Sequence, residues 1–229
     1  MLELKNLEYE ILRDRVVRDF SLEVGRGQAV TLFGPSGCGK TTILRLIAGL
    51  NDAKRGRISN DFKKTTYLFQ ENRLLEWRNA LENIKLVADD VSDDEIYAFL
   101  AKFGLSKRDA LKYPDELSGG MRARVSFVRA LVTKPDLLLM DEPFSGLDAD
   151  MREIMIDEIL SRKERGMSVV LVTHDRFEAV MLSDEIYFLS QKGANVEQIL
   201  RIDTPACERD FDFISRMATE NFGSRIYFD

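Results

Sequence analysis

Hydrophobic and polar residues along the chain follow two periods, one of two residues and one of three to four. Near the N-terminus, LELKNLEYEIL and VVRDFSLEV alternate apolar and polar residues, which predicts two half-buried strands. QAVTLF is more continuously apolar and predicts a buried strand that ends at a glycine-rich loop. TTILRLIAGL then has the spacing of a helix, and a glycine closes it.

The period changes after residue 70. Two strand-like segments, GRI and TTYLFQ, follow the first helix. From residue 71 to about residue 134 the period is helical, first in NALENIKLVA and then in SDDEIYAFLAKFGL. The second of these opens with a serine three residues before a glutamate, which is the spacing of a capping box. We therefore expect the middle third of the chain to be a helical insertion.

Strands and helices alternate again after about residue 135. Strands are predicted in DLLLMDEP, MSVVLVTHD and DEIYFLS, and helices near MREIMIDEILSRKERG and FEAVMLS. Apolar strands separated by helices predict a parallel sheet with helices on both faces. The segment from Val196 to Asp229 is less regular, and we expect it to pack on the core. Because no internal repeat or long linker is visible, we predict one domain of residues 1–229, with a core of about 1–70 and 135–229 and a helical subdomain of about 71–134.

The composition is that of an ordinary globular protein, with 45% hydrophobic and 31% charged residues among 229. No apolar run approaches the ~20 residues that a membrane-spanning helix needs, so another chain would have to cross the bilayer if the protein works at a membrane. MLELKNLEYE lacks the regions of a secretory signal, and we expect a cytoplasmic protein. The net charge of -6 does not indicate the basic surface that is typical of nucleic-acid-binding proteins. Cys38 and Cys207 are expected to be free thiols.

A phosphate-binding loop is predicted by GPSGCGKT at residues 34–41, which fits G-x-x-x-x-G-K-[ST]. Glycines let the backbone turn N–H groups toward phosphate oxygens, and a helix starting near Lys40 adds its positive end. Lys40 is expected to reach the β- and γ-phosphates of a nucleotide, and Thr41 to offer its hydroxyl to Mg²⁺. On its own, the segment is also compatible with a tight turn before a helix. The predicted nucleotide-binding residues here are Gly34, Pro35, Ser36, Gly37, Cys38, Gly39, Lys40, Thr41 and Thr42.

Two carboxylates stand at the end of the apolar strand in DLLLMDEP. Ligands bind at the carboxyl ends of strands in open α/β sheets. We therefore expect Asp141 to hold Mg²⁺, directly or through water, and Glu142 to polarise the water that attacks the γ-phosphate. A solvated strand end is the alternative for such a pair. His174, the only histidine, ends the strand in VLVTHD beside Asp175, which is predicted to cap a helix.

A further motif, LSGGM at residues 117–121 running into RARVSFVRAL, resembles the signature motif of the ATP-binding cassette (ABC) ATPases. In the order of that family, Gln70 in YLFQ resembles the Q-loop residue, SGLD the D-loop and VTHD the H-loop. The resemblance spans residues 34–175. It implies an α/β fold with a P-loop NTPase (RecA-like) core, an N-terminal antiparallel β portion and an inserted α-helical subdomain.

The same resemblance implies a homodimer in which each ATP lies between the phosphate loop of one chain and the signature motif of the other. Ser118, Gly119 and Gly120 would then meet the γ-phosphate of the opposite chain's ATP. Asp148 would act across the interface, and His174 would contact the γ-phosphate and position the attacking water. The implied catalytic residues are Glu142, His174, Lys40 and Gln70, and the implied metal ligands are Thr41, Gln70 and Asp141.

The sequence departs from the family pattern at two positions of the signature region. Met121 and Ala123 stand where glutamine is common, and neither change removes a γ-phosphate donor. The residue that stacks on adenine is predicted to be Tyr9, although Ile11 occupies that place if the first loop aligns differently.

The segment after the Q-loop carries a second similarity. Leu74, Leu75 and Trp77 are interpreted either as core residues of the helical insert or as the border of a groove that accepts a coupling helix of a membrane subunit. This segment and LSGGMRxR are similar to ATPases of bacterial importers for nitrate, taurine, alkanesulfonates or thiamine-precursor pyrimidines. The expected partners are integral membrane permease subunits at the cytoplasmic face of the inner membrane and a separate solute-binding protein, with no nucleic acid. A soluble ABC ATPase, for example of iron–sulfur cluster assembly, is the alternative.

Overall fold

The structure is a computed structural model that describes residues 1–12, 14–88 and 90–223. Its strands are β1 (Leu2–Ile11), β2 (Asp14–Val24), β3 (Ala29–Phe33), β4 (Arg55–Asn60), β5 (Thr65–Leu68), β6 (Leu137–Asp141), β7 (Ser168–Val172), β8 (Glu185–Leu189) and β9 (Val196–Arg201). Its α-helices are α1 (Lys40–Ile47), α2 (Ala80–Lys85), α3 (Asp93–Lys102), α4 (Lys107–Ala110), α5 (Gly119–Val132), α6 (Ala149–Glu164), α7 (Arg176–Leu182) and α8 (Phe211–Phe222). Within the described ranges, no helix combines the length and the hydropathy that crossing a bilayer requires.

The larger sheet has the strand order β5-β6-β7-β3-β8-β9. Its first five strands are parallel, and β9 pairs antiparallel with β8 at one edge. Every residue of β3, β6 and β7 is buried, because α1 packs on one face of the sheet and α5 and α6 on the other. Burial on both faces explains the continuous apolar runs of these strands. The predicted parallel sheet with helices on both faces is confirmed.

A smaller antiparallel sheet, of order β2-β1-β4, covers α1. Leu4 and Phe20 on its buried face share a core with Ile43 of α1 and with Val30 and Val172 of the larger sheet. The N-terminal antiparallel portion of the predicted fold is therefore present, and its second strand runs beside the loop that precedes α1.

Helices α2 to α5 follow one another between β5 and β6, as the helical period predicts. The predicted capping box opens α3. Glu95 N donates to Ser92 Oγ over 3.3 Å, and Ser92 N donates to Glu95 Oε2 over 3.0 Å. Phe103 and Phe127 pack edge to face, with ring centroids 5.2 Å apart, in the core that joins these helices to the sheet. This core fixes α5, whose N-terminus carries the signature motif.

The C-terminal segment is more regular than its sequence indicates, since it forms β9 and α8. Phe33, Phe188 and Phe222 meet edge to face and bind α8 to the sheet. The buried guanidinium of Arg209 donates to Val180 O over 2.5 Å and to Ser183 O over 2.8 Å. The expectation that this segment packs on the core holds for its described part, and residues 224–229 lie outside the described residues.

Candidate active site

The predicted phosphate loop connects β3 to α1 at the carboxyl edge of the parallel strands. Gly37 and Gly39 have φ angles of 75° and 115°, a region that residues with a side chain rarely adopt. A Cβ atom at Gly39 would lie 2.6 Å from the backbone oxygen of Val16 on β2, so no side chain fits there. Gly39 is also the N-cap of α1. The first N–H groups of α1 are therefore available to an anion in the loop.

Lys40 is the first residue of α1, and its side chain reaches back to the start of the loop. Its Nζ donates to the backbone oxygens of Gly34 and Pro35, over 2.6 and 2.9 Å, and the side chain is buried. Phosphate oxygens would compete with these carbonyls for the ammonium protons, because hydrogen bonds between ionised partners are stronger than those to neutral acceptors.

Thr41 and Asp141, predicted from separate motifs, are in contact. Thr41 Oγ1 donates to Asp141 Oδ1 over 3.0 Å. Tyr67, on the neighbouring strand β5, donates its hydroxyl to the other carboxylate oxygen, Oδ2, over 3.0 Å. Burial raises the pKa of Asp141, and the two hydrogen bonds oppose that shift. A threonine hydroxyl beside a carboxylate is an oxygen donor set of the kind Mg²⁺ prefers.

Sequence reasoning missed Tyr67. It pairs with Leu139 in the parallel register of β5 and β6, which brings its hydroxyl to the end of β6. Because 74 positions separate Tyr67 from Asp141, no local signal in the sequence links the two side chains.

Glu142 and His174 also meet. His174 Nδ1 lies 3.0 Å from Glu142 Oε2. The backbone of Glu142 has a φ of 47°, a left-handed conformation that costs a residue with a side chain about 1–2 kcal/mol, and its N–H donates to Val172 O over 2.9 Å. Burial raises the pKa of Glu142, whereas the hydrogen bond from His174 lowers it. A partly buried carboxylate beside an imidazole is suited to accepting a proton.

A partly buried network supports the turn that carries His174. Thr173 Oγ1 donates to Glu178 Oε2 over 2.6 Å, and burial raises the pKa of Glu178 to about 7. Asp175 caps α7 as predicted, accepting from Phe177 N over 2.7 Å. Arg152 of α6 lies 3.6 Å from Asp175 and 3.8 Å from Glu178. Sequence reasoning missed Arg152 and Glu178, because their contact depends on how α6 packs against α7.

The signature and D-loop residues lie at helix N-termini on the surface. Ser118 is the N-cap of α5 and accepts from Met121 N over 3.2 Å, and both Ser118 and Gly119 are exposed. Asp148 is exposed and caps α6, accepting from Met151 N over 2.8 Å. A cavity of about 250 Å³ lies between these regions, and its lining includes Gln70, Gly119, Gly120 and Glu142. Gln70 and Glu142 therefore line the same cavity.

Two expectations concern residues farther from the phosphate loop. Tyr9 is partly buried, pairs with Val17 of β2 and packs against the core under the small sheet, so its stacking on adenine stays a prediction. Ile11, the alternative, is 46% exposed. Leu74 is a core residue, but the side chain of Trp77 is 73% exposed, so the core interpretation is wrong for Trp77. Trp77 lies exposed on a turn before α2.

A phosphate loop between a strand and a helix, with two carboxylates at the end of β6 in the same parallel sheet, defines a nucleotide-binding P-loop protein. Residues 17–145 match the ABC transporter family. The aliphatic sulfonates import ATP-binding protein SsuB 1 of Rhodococcus jostii is 39% identical over 199 residues, covering 84% of this chain and 80% of that protein. The nitrate import ATP-binding protein NrtC of Synechococcus elongatus is 39% identical, covering 82% of this chain and 31% of that protein.

A solved structure agrees with these similarities. The dimeric post-hydrolysis state of the ATP-binding cassette MJ0796, bound to ADP and Pi, superposes with a TM-score of 0.80 at 28% sequence identity, covering 89% of this chain and 100% of that one. The chain belongs to the ABC transporter family, and it is an ATP-binding cassette with ATPase activity.

Proposed function

We propose that the chain is the ATP-hydrolysing subunit of an importer for a small solute, such as an aliphatic sulfonate, nitrate, taurine or a thiamine precursor. The observation that carries the hydrolytic part is the contact between Glu142 and His174, 3.0 Å apart, directly after the strand that ends in Asp141. The import part is supported by the relatives, whose names describe sulfonate and nitrate import.

In this proposal the phosphate loop binds the triphosphate of ATP through its backbone N–H groups and Lys40 Nζ. Thr41 and Asp141 hold Mg²⁺, which neutralises charge on the β- and γ-phosphates when bound. The contact between these two side chains supports that assignment. Gln70 is the third proposed ligand.

Glu142 acts as the general base in this proposal. Its raised pKa brings the carboxylate closer to the range in which a base works best near neutral pH. His174 contacts the Glu142 carboxylate, and Gln70 lines the same cavity as Glu142. Together they would orient a water molecule toward the γ-phosphate.

The Glu142→Gln variant tests this assignment. It keeps the shape of the side chain but removes the base, so turnover should fall by about a hundredfold or more while ATP still binds. Glu185→Gln is the matched control, because the side chains of Glu142 and Glu185 are 15% and 16% exposed and Glu185 lies on β8, paired with Arg201. Hydrolysis by Glu142→Gln at the rate of the control would refute the role of Glu142.

A homodimer completes the site in this proposal. Ser118, Gly119 and Asp148 lie exposed on one chain, where the phosphate loop of a second copy could meet them. The dimeric state of the solved cassette supports this arrangement. Sedimentation velocity of Glu142→Gln should therefore give a dimer with Mg·ATP and a monomer without nucleotide, and a monomer in both samples would contradict the homodimer.

The proposed permease site is an apolar groove of about 550 Å³ between β5, α5 and the end of α2. Leu86 and Val87, each 45% exposed, form part of one wall. Arg129 of α5 links this helix to the segment after β5 by donating to the backbone oxygens of Asn72 and Arg73, over 2.8 and 2.9 Å. The groove borders the proposed helical subdomain of residues 71–134, and an apolar floor with a basic rim suits a short helix. A permease helix seated there would hold the chain at the cytoplasmic face of the inner membrane, with a separate solute-binding protein on the other side.

Affinity capture from detergent-solubilised native membranes tests the groove. The tagged protein should co-elute with an integral membrane protein, and Leu86→Asp should lose that partner. Leu111→Asp is the control, because Leu111 is 57% exposed and does not line the groove. If only soluble partners were captured, the soluble ABC ATPase of an assembly system would replace the importer.

A further inference from the structure

Tyr67 touches both the carboxylate proposed to hold Mg²⁺ and the wall of the groove. Its hydroxyl donates to Asp141 Oδ2 over 3.0 Å, and its ring lines the groove together with Phe69 and Arg73. The Tyr67 and Phe69 rings are stacked, with centroids 4.0 Å apart and planes 25° apart. The guanidinium carbon of Arg73 lies 4.0 Å from the centroid of the Phe69 ring. Arg73, Phe69 and Tyr67 therefore form a continuous column that ends on Asp141.

The column contacts a carboxylate whose own side-chain torsion is weakly restrained. The last torsion of an aspartate side chain has a broad energy profile, so a carboxylate needs hydrogen bonds to hold its plane. Thr41 fixes Oδ1, and Tyr67 fixes Oδ2. Tyr67 in turn is held by its stack on Phe69 and by the pairing of β5 with β6.

We propose that Tyr67 is a positioning residue for the ATPase reaction: its hydroxyl holds the Asp141 carboxylate in the orientation that binds Mg²⁺, and the stacked column of Phe69 and Arg73 holds the Tyr67 ring. Groups that orient the ligands of a metal commonly contribute about ten- to a hundredfold to metal affinity. The proposal rests on the proposed role of Asp141 in holding Mg²⁺, but it does not depend on the docking role given to the groove.

Tyr67→Phe removes the hydroxyl and keeps the ring. Tyr187→Phe is the matched control, because Tyr187 lies on another strand of the same sheet and donates its hydroxyl to the carboxylate of Glu185 over 3.2 Å. Phe69→Leu keeps the hydroxyl of Tyr67 but removes its stacking partner. All three proteins would be compared with the unaltered chain by thermal unfolding, to show that they are folded.

Mn²⁺ is the probe, followed by electron paramagnetic resonance in the presence of ATP, with ATP binding measured separately without metal. We expect Tyr67→Phe to weaken Mn²⁺ binding by about tenfold or more and to raise the Mg²⁺ concentration for half-maximal hydrolysis, with metal-free ATP affinity unchanged. Phe69→Leu should shift Mn²⁺ binding in the same direction, and Tyr187→Phe should leave it unchanged. Unaltered Mn²⁺ affinity and spectrum in Tyr67→Phe would overturn the proposal, as would an equal loss in Tyr187→Phe.

Discussion

Replacing Glu178 by glutamine should change how the stability of the protein depends on pH. Glu178 is 6% exposed, and burial raises its pKa from an ordinary value of 4.5 to about 7. This value of about 7 is the net result of burial, the largest cause, and of the nearby charges of Asp175 and Glu142, which also raise the pKa, against the hydrogen bond from Thr173 and the charge of Arg152, which lower it. The folded chain therefore holds a proton on Glu178 that the unfolded chain releases above about pH 4.5.

The sign and size of the effect follow from this difference. Because the folded state binds more protons between pH 4.5 and 7, Glu178 lowers the free energy of unfolding as pH rises through that window, and the full cost is present above pH 7. A gap from 4.5 to about 7 corresponds to about 3 kcal/mol, at about 1.4 kcal/mol per pKa unit. Glutamine does not titrate, so the free energy of unfolding of Glu178→Gln does not fall in this way as pH rises.

Urea unfolding of both proteins from pH 5.5 to 8.5 measures the effect. Subtracting the two profiles cancels the titration of the groups they share. The stability of Glu178→Gln relative to the unaltered chain should rise by about 2 kcal/mol across this range. The interval begins at pH 5.5 because the sequence pI is about 5.1, where solubility is lowest. A difference that stays constant with pH would show that Glu178 is not protonated in the fold, and the reasoning would fail.

Two further predictions concern the thiols and the C-terminal segment. Cys207 is exposed and should react with iodoacetamide at once, whereas Cys38 is buried and burial raises its pKa, so Cys38 should react far more slowly. Bound ATP should slow the reaction of Cys38 further. Mass spectrometry of timed samples measures both rates, and equal rates at the two cysteines would contradict the prediction. Arg209→Met should lower the free energy of unfolding by about 2–4 kcal/mol, because it leaves the buried oxygens of Val180 and Ser183 without their hydrogen-bond donor. ATP affinity should stay unchanged. A loss below about 1 kcal/mol in urea unfolding would show that these hydrogen bonds do not hold the segment.

Elements that depend only on neighbouring residues could be predicted from the sequence. The glycines of the phosphate loop, the capping box of Ser92 and the cap at Asp175 are local features, since each is made by residues within a few positions. The apolar run before Asp141 likewise predicted a buried parallel strand, because a strand covered on both faces must be apolar throughout.

Which of these elements come into contact depends on the tertiary structure. The side chains of Tyr67 and Asp141 touch because β5 pairs with β6 in one register. The pKa of Glu178 is raised because its side chain is buried where α7 packs against α6. Trp77 is a large apolar residue of the kind expected in a core, but it lies exposed on a turn. Periodicity reports which side of an element faces inward, whereas strand order and helix packing decide what lies opposite, and that depends on contacts between residues far apart in the chain.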